Sequence, residues 1–184
     1  LEEHESKCYL DLVLAVNSTA EIEFRNGTEN YAGNPTECAM LVSLRAREVD
    51  YRRLRNEHPV ISRIPFSADR KMMSTLIRDG EKELILVKGA PERVFAKCKC
   101  VPEEAIETVK TMAEEAVRAL AIAYKVSGRI KRLSEKDESD LVLLGIVGLA
   151  DPVRDDVPAA VECCAKAGID VKMITGDHPL TAHA

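Results

Sequence analysis

The sequence predicts an α+β domain, an antiparallel sheet flanked by helices, followed by one short unit of α/β character. Three observations carry this. Residues 61–88 hold three strand-like runs (ISRIPF, MMSTLIR and ELILVK), and Asp79-Gly80 lies in the last connection; Asp-Gly between apolar runs marks an antiparallel hairpin. Residues 103–118 place Ile106, Val109, Met112, Ala113, Ala116 and Val117 on one face at helical spacing, as an amphipathic helix packed on a sheet requires. Near Asp151-Pro152 the pattern changes to helix, apolar run and polar loop, which is the grammar of a parallel α/β sheet. A boundary there divides the chain into 1–151 and 152–184.

In chain order, the apolar run 10–16 ends at a polar stretch. Residues 34–48 then open as a helix, with Asn34 as N-cap, Pro35 at the first position and Glu37 placed for a capping box. After the three strand-like runs, Pro91 starts a short helix through Phe95, ahead of the amphipathic segment. The runs 120–125 and 141–148 are further strands, separated by a charged loop at 127–140 expected to be exposed. Asp155 can cap a helix running to Ala167, Gly168 can close it, and 169–174 follow as a buried strand ending in Thr175-Gly176-Asp177. Ligands of parallel sheets bind at the carboxyl ends of strands, where Thr175 and Asp177 would lie.

Composition narrows the function. With 184 residues, 46% of them hydrophobic, the chain can bury a core. A net charge of −5, spread along the chain, offers no surface for nucleic-acid phosphates, so nucleic acid is not an expected partner. The longest apolar run, Leu141–Ala150, is about half of what a membrane-crossing helix needs. No basic stretch with an apolar run opens the sequence, so no secretory signal is expected and the cytosol is the expected compartment. The 6 cysteines include no Cys-x-x-Cys and no nearby histidine suited to zinc, and are expected to be reduced core or helix-face thiols. Asn17-Ser18-Thr19 and Asn26-Gly27-Thr28 fit the glycosylation pattern, which carries no weight in the cytosol.

Neither G-x-x-x-x-G-K-[ST] nor G-x-G-x-x-G occurs, so a bound nucleotide must be held by other groups. Five segments offer them. Gly33-Asn-Pro-Thr-Glu37-Cys-Ala places a carboxylate in the first turn of a helix, where it could also serve only its own cap. Pro65-Phe66-Ser-Ala-Asp69-Arg70-Lys71 sets one of only 3 phenylalanines beside basic residues, a flat face and a cation together, which suits a base joined to phosphate; a core ring with a solvated charge run is the plainer alternative. Lys88-Gly89-Ala90-Pro91-Glu92 ends a strand in a lysine and turns tightly into a helix, although such a lysine can be a plain surface residue. Arg118 lies near the end of the amphipathic segment, where it could simply complement a helix C-terminus, and Leu120 follows it. Asp151-Pro-Val-Arg154 and Thr175-Gly176-Asp177 come last; a threonine hydroxyl and amides at a strand end are good phosphate donors, and a plain turn uses the same residues.

Taken in this order, the five segments resemble the type II P-type cation-transporting ATPases. The resemblance implies a nucleotide-binding domain over 1–151 and, over 152–184, part of a haloacid-dehalogenase-like phosphorylation domain. By this resemblance Glu37 meets the adenine amino group, Phe66 stacks on adenine, Lys71 and Lys88-Gly89 border the pocket, Arg118 contacts phosphates and Leu120 packs near the base. Asp151 and Arg154 mark the hinge, and Thr175, Gly176 and Asp177 lie beside the transferred phosphoryl group. Asp50–Pro59 and Gly145–Arg154 are similar in particular to the plasma-membrane-type calcium pumps. Ala68 stands where some calcium pumps carry an arginine, and His178 where many members have asparagine.

The family's Asp-Lys-Thr-Gly, with its phosphorylated aspartate, and its later lysine and Gly-Asp-Gly segments do not occur in this sequence. The chain is therefore expected to bind ATP and ADP without hydrolysing ATP, to contain no catalytic or metal-ligating residue, and to act with Mg2+ only together with the rest of a membrane-embedded pump, on its cytoplasmic face. The other classes weighed are a non-catalytic interaction domain and a haloacid-dehalogenase-class phosphatase. The phosphatase needs a nucleophilic aspartate and an assisting acid two residues later on an early strand, and no such pair stands near the start.

Overall fold

A computed structural model of the chain describes residues 3–25, 28–150, 156–172 and 174. Helix α1 (Glu3–Val16) leads into a two-stranded hairpin, β1 (Glu21–Arg25) and β2 (Thr28–Ala32), and then helices α2 (Pro35–Ala46) and α3 (Tyr51–Glu57). Strands β3 (Val60–Ile64), β4 (Met72–Asp79) and β5 (Lys82–Gly89) precede α4 (Pro91–Phe95) and α5 (Glu103–Glu114), and β6 (Arg118–Ser127) and β7 (Val142–Leu149) complete a five-stranded sheet. Its order is β3-β4-β5-β6-β7, every pair antiparallel. Helix α6 (Val157–Lys166) follows.

Period-two alternation divides the side chains of the sheet between two cores. Ile77, Leu84, Leu86, Ile122 and Tyr124 join Leu12, Met40, Leu41 and Leu44 under α1 and α2, with the Tyr9 and Tyr124 rings 4.6 Å apart. Leu76, Ile85, Val87, Ala121 and Ala123 pack on the opposite face under Val94 of α4 and under Leu133 and Leu141. The β4–β5 turn pairs Asp79 with Lys82 around Gly80, whose φ of +59 meets the demand of a type II′ hairpin at its first central position.

Several expectations are corrected. The amphipathic helix stops at Glu114, because Ala116 takes a left-handed φ of +57 and Val117 turns toward β6; Arg118 therefore opens a strand rather than closing a helix. No side chain of α5 is fully buried, and it leans on the β6–β7 edge through Met112, which lies near Gly148. The 127–140 loop is only partly exposed, since Leu133 and Glu138 are buried. Residues 169–172 form no strand, and Ile169, Val171 and Ile174 are exposed rather than buried. A parallel strand takes its hydrogen bonds and cover from neighbours, and none of the described strands lies beside this one. Helix α6 has Asp156 at its N-cap, where its side chain makes no bond to the first-turn amides; Asp155 lies outside the described residues.

Candidate nucleotide site

The end of the sheet formed by the exit of β3, the start of β4, the exit of β5 and the start of β6 gathers most of the predicted site. Pairing of Met73 with Lys88 and of Lys88 with Ile122 sets the register there. Helix α2 starts above this end. Asn34 caps it by accepting from the Thr36 amide at 2.9 Å, with Pro35 in the first turn. The capping box is not formed: the Glu37 carboxylate turns away from its own helix start and into the protein, where better donors await it.

Glu37 is 7% exposed and Lys88 6%. Lys88 Nζ donates to Glu37 Oε1 at 2.7 Å, while Oε2 accepts from the Thr19 amide at 2.8 Å, the Thr19 hydroxyl at 2.9 Å and the Ser18 hydroxyl at 3.3 Å. Burial works to raise the Glu37 pKa, but the charge and hydrogen bond of Lys88 and the Thr19 bonds outweigh it, so the carboxyl lies below its usual range. Burial also depresses the Lys88 ammonium, more than Glu37 can offset. Arg63 and Arg55 add positive charge around the Glu37–Lys88 pair, which further lowers the Lys88 ammonium. Lys88 is thus no plain surface lysine.

Asn17, fully buried, ties the α1 exit to the sheet: its amide donates to the Met73 carbonyl at 3.1 Å and its side-chain oxygen accepts from the Thr75 hydroxyl at 2.7 Å. Arg63 reaches the same hydroxyl and the Val16 carbonyl. The 17–19 segment that holds Glu37 is therefore itself held. The sequence singled out neither Ser18 and Thr19 nor Arg63; the one available signal was a run of three polar residues directly after an apolar segment.

Gly89 lies against Lys71. A β-carbon at Gly89 would meet the Met72 β-carbon at 2.5 Å and the Lys71 carbonyl oxygen at 2.6 Å, so only glycine fits without a shift. The Ala90 amide donates to that same carbonyl. Lys71 has a left-handed φ of +54, and its ammonium, on an exposed side chain, lies 3.6 Å from Glu92. Phe66, in the β3–β4 loop, exposes 63% of its surface and belongs to neither core. Leu120 is half-buried against the α1–α2 core, and Arg118 stands exposed two residues before it on β6. Asp151, Arg154, Thr175, Gly176 and Asp177 lie outside the described residues.

The resulting site is an open end of the sheet. Of two described cavities, one of about 310 Å³ lies beside Phe24 and Tyr51, and one of about 330 Å³ lies beside Tyr31 and the start of α2, at Gly33, Pro35 and Cys38. An exposed ring, two exposed cations and a buried carboxylate whose Oε1 has a single described partner suit a flat base with a donor edge and a phosphate tail.

Residues 7–156 match the family model of the P-type ATPase, cytoplasmic domain N. The chain belongs to this family. Domain N here is 39% identical over 166 residues to a calcium-transporting ATPase of Listeria monocytogenes, covering 83% of this chain and 19% of that protein. It is 35% identical over 185 residues to the calcium-transporting ATPase PAT1 of Dictyostelium discoideum, covering 92% and 16%. It is 34% identical over 186 residues to the plasma membrane calcium-transporting ATPase 1 of Mus musculus, covering 88% and 15%. The chain thus spans no more than about a fifth of the length of these relatives. No helix among the described residues is long and apolar enough to cross a membrane.

Proposed function

We propose that this domain N binds ATP by its adenine ring and presents the γ-phosphate to an aspartate outside the chain, within a calcium-transporting pump. Phe66 stacks on the base, Glu37 accepts from its amino group through Oε1, Lys88 and Gly89 form the floor, and Leu120 packs at the base edge. Lys71 and Arg118 face the phosphates. The observation that supports this best is the buried Glu37–Lys88 pair, which locks the start of α2 to the exit of β5 at the same end where Phe66 stays exposed. Calcium as the cargo follows from the relatives named above, each a calcium-transporting ATPase. The boundary with the phosphorylation domain falls near Asp151, with hinge roles for Asp151 and Arg154 and phosphate-proximal roles for Thr175, Gly176 and Asp177.

Among the described residues no group of three or more His, Cys, Asp or Glu could hold a metal ion. In this reading magnesium arrives with the nucleotide and finds its protein ligands elsewhere in the pump, and the domain stands on the cytoplasmic side of a membrane, coupled by domain motion to membrane helices.

An open surface pocket corresponds to about −4 to −8 kcal/mol, a dissociation constant in the millimolar to micromolar range. Adding ATP to isotopically labelled protein should shift the amide signals of Glu37, Phe66, Lys71, Lys88 and Arg118 together. Saturating ATP that moves none of them overturns the assignment.

A further inference from the structure

The loop that carries Phe66 and Lys71 is fastened to a second charged centre, on the side of the sheet away from Glu37. Glu138 has a side chain 0% exposed, although it sits in a charged loop. Arg70 Nη2 donates to its Oε1 at 2.5 Å, and Lys97 Nζ lies 3.4 Å from its Oε2. The same Arg70 guanidinium donates through Nη1 to the carbonyl of Pro65, the residue before Phe66, at 3.2 Å. The loop closes on itself as well, the Lys71 amide donating to the Ser67 carbonyl at 2.8 Å and the Arg70 amide to the Ser67 hydroxyl at 3.3 Å. On the other side, Asp137 accepts from the Ser134 amide and hydroxyl, and the Leu141 backbone pairs with Lys97 and Lys99, so Glu138 stands on a fixed base.

The geometry points to Arg70 and Glu138 as a positioning pair: their ion pair, extended by Lys97, fixes the 65–71 loop so that the exposed Phe66 ring and Lys71 are presented to the nucleotide. This rests on the ATP-binding reading above. A ring 63% exposed receives little placement from its own packing, so its backbone must be held from elsewhere. Stability alone explains the pair poorly, because the desolvation of buried ions consumes most of their attraction and an apolar substitute often does as well. An ion pair does fix one arrangement of a loop, which packing of an exposed segment cannot.

Two readouts test it. In the wild-type chain, the Arg70 and Lys71 amides should exchange with solvent as slowly as those of β4; rapid exchange there overturns the proposal whatever the variants do. Glu138→Gln should speed exchange at residues 67–71 selectively and weaken ATP binding by roughly three- to thirtyfold, which lies within the range of coupling between residues in contact. Placed on a Phe66→Ala, Lys71→Ala background, Glu138→Gln should cost no further affinity, because it acts through those two residues. A loss of equal size on both backgrounds means a general structural role and sinks the idea. If Glu138→Gln does not fold, the double variant Arg70→Gln, Glu138→Gln serves instead, since removing both partners leaves no fully buried charge uncompensated. If the wild-type chain binds no ATP, the nucleotide reading fails while the exchange data still decide whether the pair holds the loop.

Discussion

Phe66 exposes 63% of its surface and lies outside both cores, so its ring contributes little to folding and is available to a ligand. Phe66→Ala should lower ATP affinity by roughly 1–3 kcal/mol, the usual value of base–aromatic stacking, with the melting temperature nearly unchanged. Tyrosine or tryptophan at this position should preserve most binding, whereas Phe66→Leu keeps an apolar side chain without the flat π-face. Leucine binding ATP as tightly as phenylalanine would rule out stacking. Glu37 and Lys88 behave oppositely, because both are buried and each satisfies the other. Removing one partner leaves an uncompensated buried charge, so Lys88→Met should cost about 3–5 kcal/mol in denaturant unfolding, and Glu37→Gln combined with Lys88→Met should cost clearly less than the two separate losses added together.

The pH dependence of that pair has a defined sign. The folded pKa of Glu37 lies below its ordinary 4.5, so the unfolded chain binds the proton more readily over the interval between the two values, and stability falls as the pH falls through it. The stabilisation is fully present above about pH 4.5 and is lost as the pH drops through the folded value. Denaturant melts of the wild type and Glu37→Gln should therefore converge as the pH is lowered through this window. Curves that stay parallel would mean that Glu37 carries no linked proton.

At the scale of elements, the strands from Val60 to Leu149 were legible because apolar runs, the Asp79-Gly80 turn and the Pro91 helix start are local signals. The β1–β2 hairpin was overlooked although Glu21–Arg25 alternates polar residues with Ile22 and Phe24 and Asn26-Gly27 follows in the sequence; only Thr28, Glu29 and Asn30, polar in succession, weaken the pattern. The partners of Glu37 were hidden for a different reason: Lys88 is 51 residues away and Thr19 is 18 residues away, and no periodicity connects them. Lys-Gly at the exit of β5 was read as a tight turn, and the contact with Lys71 gives the physical cause. Gly89→Ala would drive its β-carbon into the backbone of Lys71 and Met72, at 2.6 and 2.7 Å. It should therefore destabilise by about 1–3 kcal/mol, as overpacking does, and weaken ATP binding by displacing Lys71. A thermal melt matching the wild type would show that the β4–β5 edge yields more easily than these distances imply.

At the scale of the whole molecule, the proposed contacts divide the nucleotide unequally. The base meets Phe66, Glu37, Lys88 and Leu120, all within this chain, whereas the phosphate tail meets only Lys71 and Arg118, both of them exposed. Exposed ion pairs contribute little, about 0–1 kcal/mol each, so removing the γ-phosphate should cost little here. ADP should accordingly bind within a few-fold of ATP, in calorimetric titrations of the same protein, and moderate salt should weaken both only slightly. The sequence has no Asp-Lys-Thr-Gly to accept the phosphoryl group, and transfer requires an aspartate within reach of the γ-phosphate. The pure chain should therefore release no phosphate from ATP above the uncatalysed rate. A preference for ATP over ADP of a hundredfold would assign about 2.7 kcal/mol to the γ-phosphate, more than two exposed cations supply. That result would require a phosphate-binding group that Lys71 and Arg118 do not account for, and the candidates would then be Thr175, Gly176 and Asp177.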